Sequence, residues 1–155
     1  MSRVFIGIGS NQGDRAGLIS QAVQCLGAVS GVRVTRLAGL LETEPVGGPP
    51  QPPYLNTVAE MDTSRTPQEL LGELQGIERQ LGRASSPVRW APRPMDLDLL
   101  LYDDLVLEEP GLTIPHPRMH ERRFVLEPLA QLAPELVHPA LSRTVKDLLE
   151  SPALR

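Results

Sequence analysis

The chain has 155 residues, 41% of them hydrophobic and 22% charged, which is globular in composition and sized for one domain that buries about 68–70% of its unfolded surface. A formal net charge of −4 argues against a general nucleic-acid or anionic-membrane binder, and one cysteine, Cys25, excludes an intrachain disulfide or a thiolate metal site. No apolar run approaches the roughly 20 residues of a membrane span, and MSRVFIGIGSN is too short for a secretory leader, so residues 1–155 are expected to form one soluble, cytoplasmic domain.

Val4 to Gly9 is apolar and partly alternating, which predicts a strand ending at Gly-Ser-Asn, with Ser10 and Asn11 as turn and cap residues. Leu18, Ile19, Ala22, Val23 and Leu26 then recur at helical spacing behind a candidate cap, Asp14, and place Cys25 in the core. After a turn at Gly31, Val32 to Leu41 reads as a second strand, irregular near Gly39. EPVGGPPQPPY (44–54) is too rich in proline and glycine for regular structure and is a loop. Tyr54 to Met61 alternates as a third strand. Thr66-Pro67-Gln68-Glu69 starts a helix as a capping box, Leu70, Leu71, Leu74, Ile77 and Leu81 mark its buried stripe, and Gly82 closes it. Residues 83–94 form a second proline-rich loop, and Met95 to Tyr102 is the fourth strand.

The order β-α-β-β-α-β predicts an α+β fold, a ferredoxin-like antiparallel sheet with both helices on one face. A hairpin within Leu105–Ile114 and helices at Arg122–Leu132 and Thr144–Leu149 complete the expectation.

The chemistry concentrates in RWAPRPMDLDLLLYDD (89–104). In a strand, Asp96 and Asp98 share one face while Leu97, Leu99 and Leu101 take the other. Two neighbouring carboxylates repel unless cations, a metal ion or a proton compensate them, and paired hard oxygens suit Mg²⁺ carrying phosphates. By itself Asp-x-Asp also fits a wet edge strand guarded against aggregation. Arg79, Arg83, Arg89 and Arg93 precede the pair with no acid among them, and Arg118, Arg122 and Arg123 form a second cluster. The arginine fork matches phosphate oxygens, which favours phosphoryl transfer over the plain surface reading. Other nucleotide signatures are absent: Gln12 stands where G-x-G-x-x-G needs glycine, and no Gly-Lys-Ser/Thr occurs. His116 and His120 do not make a zinc site, because Pro115 and Pro117 forbid a regular helix there; His116 is better used on a phosphate.

IGIGSN (6–11), ETEPVG (42–47), YLN (54–56), Gln75, Glu78, Gly82, Arg83, RWAPRPMDLDLLLY (89–102), TIPHPRM (113–119), RRF (122–124) and APELVHP (133–139) together resemble the 6-hydroxymethyl-7,8-dihydropterin pyrophosphokinases. These folate-pathway enzymes move the β,γ-diphosphate of ATP onto a pterin alcohol. The resemblance implies that Asp96 and Asp98 hold two Mg²⁺ ions and act catalytically with Arg83 and Arg93. It implies ATP contacts from Leu71, Gln75, Glu78, Arg89, Leu99, Thr113, His116 and Arg122. Its pterin pocket maps to Thr43, Pro45, Val46, Tyr54, Asn56, Trp90 and Phe124, where a flat heterocycle fits between two rings and an amide reads its edge. Ser85 and Gly111 stand where many members carry a basic residue.

The expected partners are ATP and hydroxymethyl-dihydropterin, with the chain acting as a monomer and no nucleic acid or membrane involved. From the residues alone, a Mg²⁺-dependent phosphohydrolase and a ferredoxin-like ligand-sensing module stay open.

Overall fold

Alternation along Ser2–Ser10 (β1) sets the layout: Val4, Ile6 and Ile8 are buried on one face of the strand and Phe5 on the other, so β1 lies inside a sheet covered on both sides. The computed structural model describes residues 1–11, 13–43, 53–82 and 95–152. After β1 come a helix at Arg15–Ala28 (α1), strands at Val32–Leu37 (β2), Leu41–Thr43 (β3) and Tyr54–Thr63 (β4), a helix at Pro67–Gly82 (α2) and a strand at Asp96–Tyr102 (β5). The sheet runs β2-β4-β1-β5, with β3 also on β4, and every pairing is antiparallel. This is the expected ferredoxin-like order, with α1 and α2 both on the face that buries Ile6, Ile19, Leu26, Leu74 and Leu97.

Both helix starts follow from local chemistry. The Asp14 carboxylate accepts the Gly17 amide at 3.0 Å, so the cap is Asp14, while Ser10, the last residue of β1, and Asn11 after it are buried. Thr66 Oγ1 accepts the Glu69 amide at 3.1 Å and Glu69 Oε1 accepts the Thr66 amide at 3.0 Å, completing the capping box. The Thr66 backbone N–H, and then its hydroxyl, pull the Glu69 pKa below its ordinary value.

The predicted second strand is two. Ala38 donates to the Val58 carbonyl and accepts from Thr57 Oγ1, while the Gly39 amide turns to Gln131 Oε1 at 2.8 Å, so residues 38–40 leave the ladder. The third strand runs two residues further than expected, to Thr63, and the fourth begins at Asp96 rather than Met95. Cys25 is half-buried and packs at the margin of the core.

A bulge corrects one face assignment. Phe5 faces Leu101 and Ile6 faces Leu99, leaving Leu100 with no counterpart on β1. The extra residue turns the strand over, so Leu101 joins Leu100 on the side opposite α1 and α2 instead of lining up with Leu97 and Leu99. That side is closed by helices at Arg123–Leu132 (α3) and Val145–Leu149 (α4), through Leu126, Leu129 and Leu148 against Phe5 and Val58.

The expected hairpin forms at Leu107–Glu109 (β6) and Leu112–Ile114 (β7), turning at Gly111 with φ +81°. A 3-10 turn at Met119–Glu121 leads into α3. A second hairpin, Val137–His138 (β8) with Arg143–Thr144 (β9), was not expected; two residues per strand leave no alternation to read. Among the described residues no helix is long and apolar enough to cross a membrane.

Candidate active site

Register brings the chemistry together. Across the β5–β1–β4 ladder, Asp96 lies opposite Gly9 and Gly9 opposite Asn56; one step along, Asp98 lies opposite Gly7 and Gly7 opposite Val58. Residues directly opposite one another share a face, so two carboxylates and an amide flank two positions without side chains. The resulting hollow is a cavity of about 330 Å³ on the α3 side of the sheet. Thr43, Tyr54, Asn56, Asp96 and Asp98 line it from the sheet, and Arg122, Phe124 and Val125 line it from the start of α3.

Asn56 is buried, and its Nδ2 donates to Thr43 Oγ1 at 3.0 Å, which fixes the amide. Gly9 makes room for it: a Cβ there would stand 2.7 Å from Asn56 Oδ1. Tyr54 lies beside Asp96, and burial first, then the Asp96 charge, raise its pKa above 10.0, keeping the phenol a neutral donor. The Arg122 guanidinium sits over the Phe124 ring, 5.7 Å from its centroid, so a cation and an aromatic surface occur together at the cavity wall. Arg122 is also the N-cap of α3 and makes no side-chain cap bond, which leaves the positive end of the helix facing the site.

The backbone N–H of His116 donates to the Leu100 carbonyl of β5 at 2.9 Å, which brings the ring within reach of the Asp98 charge. Burial pushes its pKa below 6.5; the Asp98 charge opposes this, and Arg122 and Arg118 add to it. Its Nδ1 accepts the Arg118 amide at 3.2 Å, so the neutral ring carries its hydrogen on Nε2. Thr113 and His116 line a separate cavity of about 200 Å³ beside the β6–β7 hairpin.

The remaining expected residues divide by place. Glu78 on α2 accepts the Leu97 amide at 2.9 Å, and so holds the outer edge of β5 between the two aspartates. Gln75 is exposed on α2, and Leu71 is half-buried there. Leu99 is buried on the face turned away from the aspartates. Pro45, Val46, Arg83, Arg89, Trp90 and Arg93, and the departure Ser85, lie outside the described residues. Sequence reasoning missed Gly7 and Gly9 as the cavity floor. Their two-residue spacing on a strand is the signal, since it leaves one face bare at two successive positions.

No group of three or more His, Cys, Asp or Glu side chains able to hold a metal occurs among the described residues. The donor set that does exist, two carboxylates on one face of β5 lining one cavity, fits a hard cation that keeps water and phosphate in its remaining positions.

A family model described as 7,8-dihydro-6-hydroxymethylpterin-pyrophosphokinase (HPPK) matches residues 5–134. The chain belongs to this family. A Bacillus subtilis HPPK, named 2-amino-4-hydroxy-6-hydroxymethyldihydropteridine pyrophosphokinase, is 45% identical over 138 residues, covering 89% of this chain and 82% of that protein. A Synechocystis HPPK of the same name is 41% identical over 145 residues, 94% of this chain and 73% of its own length. The HPPK sequence also occurs within longer proteins: folic acid synthesis protein fol1 of Schizosaccharomyces pombe is 40% identical over 146 residues, and the chain spans 20% of it. Plasmodium falciparum HPPK-DHPS shares the fold, with a TM-score of 0.72 at 15% identity over 96% of this chain and 43% of that one.

Proposed function

We infer that the chain transfers the pyrophosphoryl group of ATP to the hydroxymethyl group of 6-hydroxymethyl-7,8-dihydropterin, yielding AMP and the pterin diphosphate for folate synthesis. Family membership supports the activity. The structural observation that carries it is the shared cavity: Asp96 and Asp98 line the same hollow as Asn56, Tyr54 and Phe124, so groups suited to phosphate and to a flat heterocycle are adjacent.

In the proposed reaction the hydroxymethyl oxygen forms a bond to the β-phosphorus of ATP, the bond to the oxygen bridging the α- and β-phosphorus breaks, AMP leaves and the hydroxyl proton passes to water. Asp96 and Asp98 would hold Mg²⁺, two ions in this reading, which when bound neutralises phosphate charge. The Asn56 amide, fixed by Thr43, reads the pterin edge, and Phe124 gives it a ring to lie on. Arg122 and the Nε2–H of His116 take phosphate oxygens beside Asp98.

Leu71, Gln75, Glu78, Leu99 and Thr113 are assigned to the nucleotide side. Arg83, Arg89 and Arg93 are assigned to the phosphates, and Trp90, Pro45 and Val46 to the pterin. We propose further that residues 1–155 work as one monomeric domain in the cytoplasm, a unity supported by the five-stranded sheet that lies between both cores.

The deciding experiment measures AMP formed from ATP with and without hydroxymethyl-dihydropterin and with and without Mg²⁺. The reading requires AMP only when both are present. Release of inorganic phosphate without the pterin would instead favour a hydrolase.

A further inference from the structure

One side chain outside the cavity ties together two segments that end at it. Arg15, the first residue of α1, donates from Nη1 to the Pro53 carbonyl at 2.8 Å and from Nη2 to Glu42 Oε2 at 2.9 Å. Glu42 precedes Thr43 on β3, Pro53 precedes Tyr54 on β4, and Thr43 and Tyr54 face each other as the last pair of that ladder. Both line the cavity, and Thr43 Oγ1 is the acceptor that fixes the Asn56 amide. Arg15 is itself held in place, because the cap at Asp14 sets the helix start immediately before it.

Strand β3 is three residues long and pairs with β4 alone, too little ladder to hold its own end closed. A guanidinium bonded to both sides of that end supplies the missing constraint, since its planar fork presents two donors in fixed directions. The ion pair is partly solvated, with side-chain exposures of 28% for Arg15 and 57% for Glu42, so it adds little to global stability. Its consequence is local: where Thr43 and Tyr54 stand relative to Asn56.

We propose that Arg15 is a positioning residue for the heterocycle side of the cavity. It holds the terminal β3–β4 pair closed so that Thr43 keeps the Asn56 amide in its reading orientation. The proposal rests on the reading of this cavity as the pterin site.

The test compares wild type with Arg15→Gln, with Glu42→Gln, and with Arg65→Gln. The last removes an arginine of equal exposure that pairs with Glu73 away from the cavity. Arg15→Gln is expected to raise KM for the pterin about fivefold, the worth of one solvated charged contact, with KM for ATP and the melting temperature little changed. Glu42→Gln, which leaves the Pro53 bond in place, has a smaller effect in the same direction, and Arg65→Gln has none on either KM. Amide exchange at residues 41–43 and 54–56 reads the same claim without turnover and is expected to quicken about fivefold in Arg15→Gln. Unchanged exchange there, or a pterin KM that stays put or rises only together with that for ATP, overturns the proposal. A wild type that makes no AMP in the presence of the pterin overturns the functional reading instead, and the exchange rates still decide the role of Arg15.

Discussion

Gly9 and Asn56 face each other across β1 and β4, and the glycine exists for the amide: any Cβ at residue 9 would press on Asn56 Oδ1 at 2.7 Å. The strand needs no unusual backbone there, so the constraint is contact with a side chain rather than conformational freedom. Gly9→Ala therefore displaces the Asn56 amide and breaks its bond to Thr43 while the sheet still forms. The expected result is a rise of about tenfold or more in KM for the pterin, the worth of one misplaced buried hydrogen bond, with KM for ATP close to wild type. Steady-state kinetics with each substrate varied in turn checks it.

The aspartate pair gives the sharpest functional outcome. Replacing either Asp96 or Asp98 by Asn keeps the shape and removes the charge, and is expected to lower kcat by about 10²–10³, as removal of one preorganised electrostatic group does. Magnesium should also lose most of its effect on nucleotide affinity, measured by calorimetry over a Mg²⁺ titration. Asp98→Asn should not lower the melting temperature, because it relieves repulsion between two neighbouring acids. Unaltered Mg²⁺-dependent turnover in both variants would falsify the assignment.

Tyr54 reports on Asp96 without any substrate. Burial and the Asp96 charge both raise the phenol pKa above 10.0. Asp96→Asn removes the second cause and leaves the first, so the ultraviolet titration of Tyr54 should move down toward, but not reach, the ordinary value. Tyr102→Phe in the background isolates the signal, since these are the two tyrosines of the chain.

His138 makes stability depend on pH. It is buried, its Nδ1 accepts the amides of Ala140 and Leu141 at 3.3 and 3.1 Å, and burial, then the neighbouring His120, lower its pKa below 6.5. The unfolded chain binds a proton there more readily than the folded one. This contribution is complete above about pH 6.5 and is lost as the pH falls through the folded pKa. Thermal melts between pH 8 and pH 5 should show the loss. His138→Asn, whose Oδ1 can accept the same amides without titrating, should reduce the slope but not abolish it, because the pKa of His116 is lowered too.

The sheet and its two covering helices were legible because each element carries its own signal: the alternation of β1 and β4, the capping box at Thr66 and Glu69, the 3.6-residue stripe from Leu70 to Leu81. The carboxylates were legible because Asp96 and Asp98 interrupt an apolar strand at the two-residue period. What escaped depends on contacts between distant segments. Leu101 changed faces because of a bulge set by pairing with β1, and the break at residues 38–40 depends on Gln131 from α3. The cavity floor was missed because a glycine announces space only when its neighbours are known.

The sheet is sealed by different helices on its two sides, and the cavity lined by Asp96 and Asp98 lies on the α3 side. Random mutagenesis should therefore sort its defective alleles by layer. Lesions at Ile19, Leu26 or Leu74, core positions beneath α1 and α2 with no assigned ligand contact, should give temperature-sensitive growth with near-normal enzyme at permissive temperature. Lesions beneath α3, whose first turn forms the cavity wall, should give catalytic defects at every temperature, and changes in inhibitor sensitivity should map there.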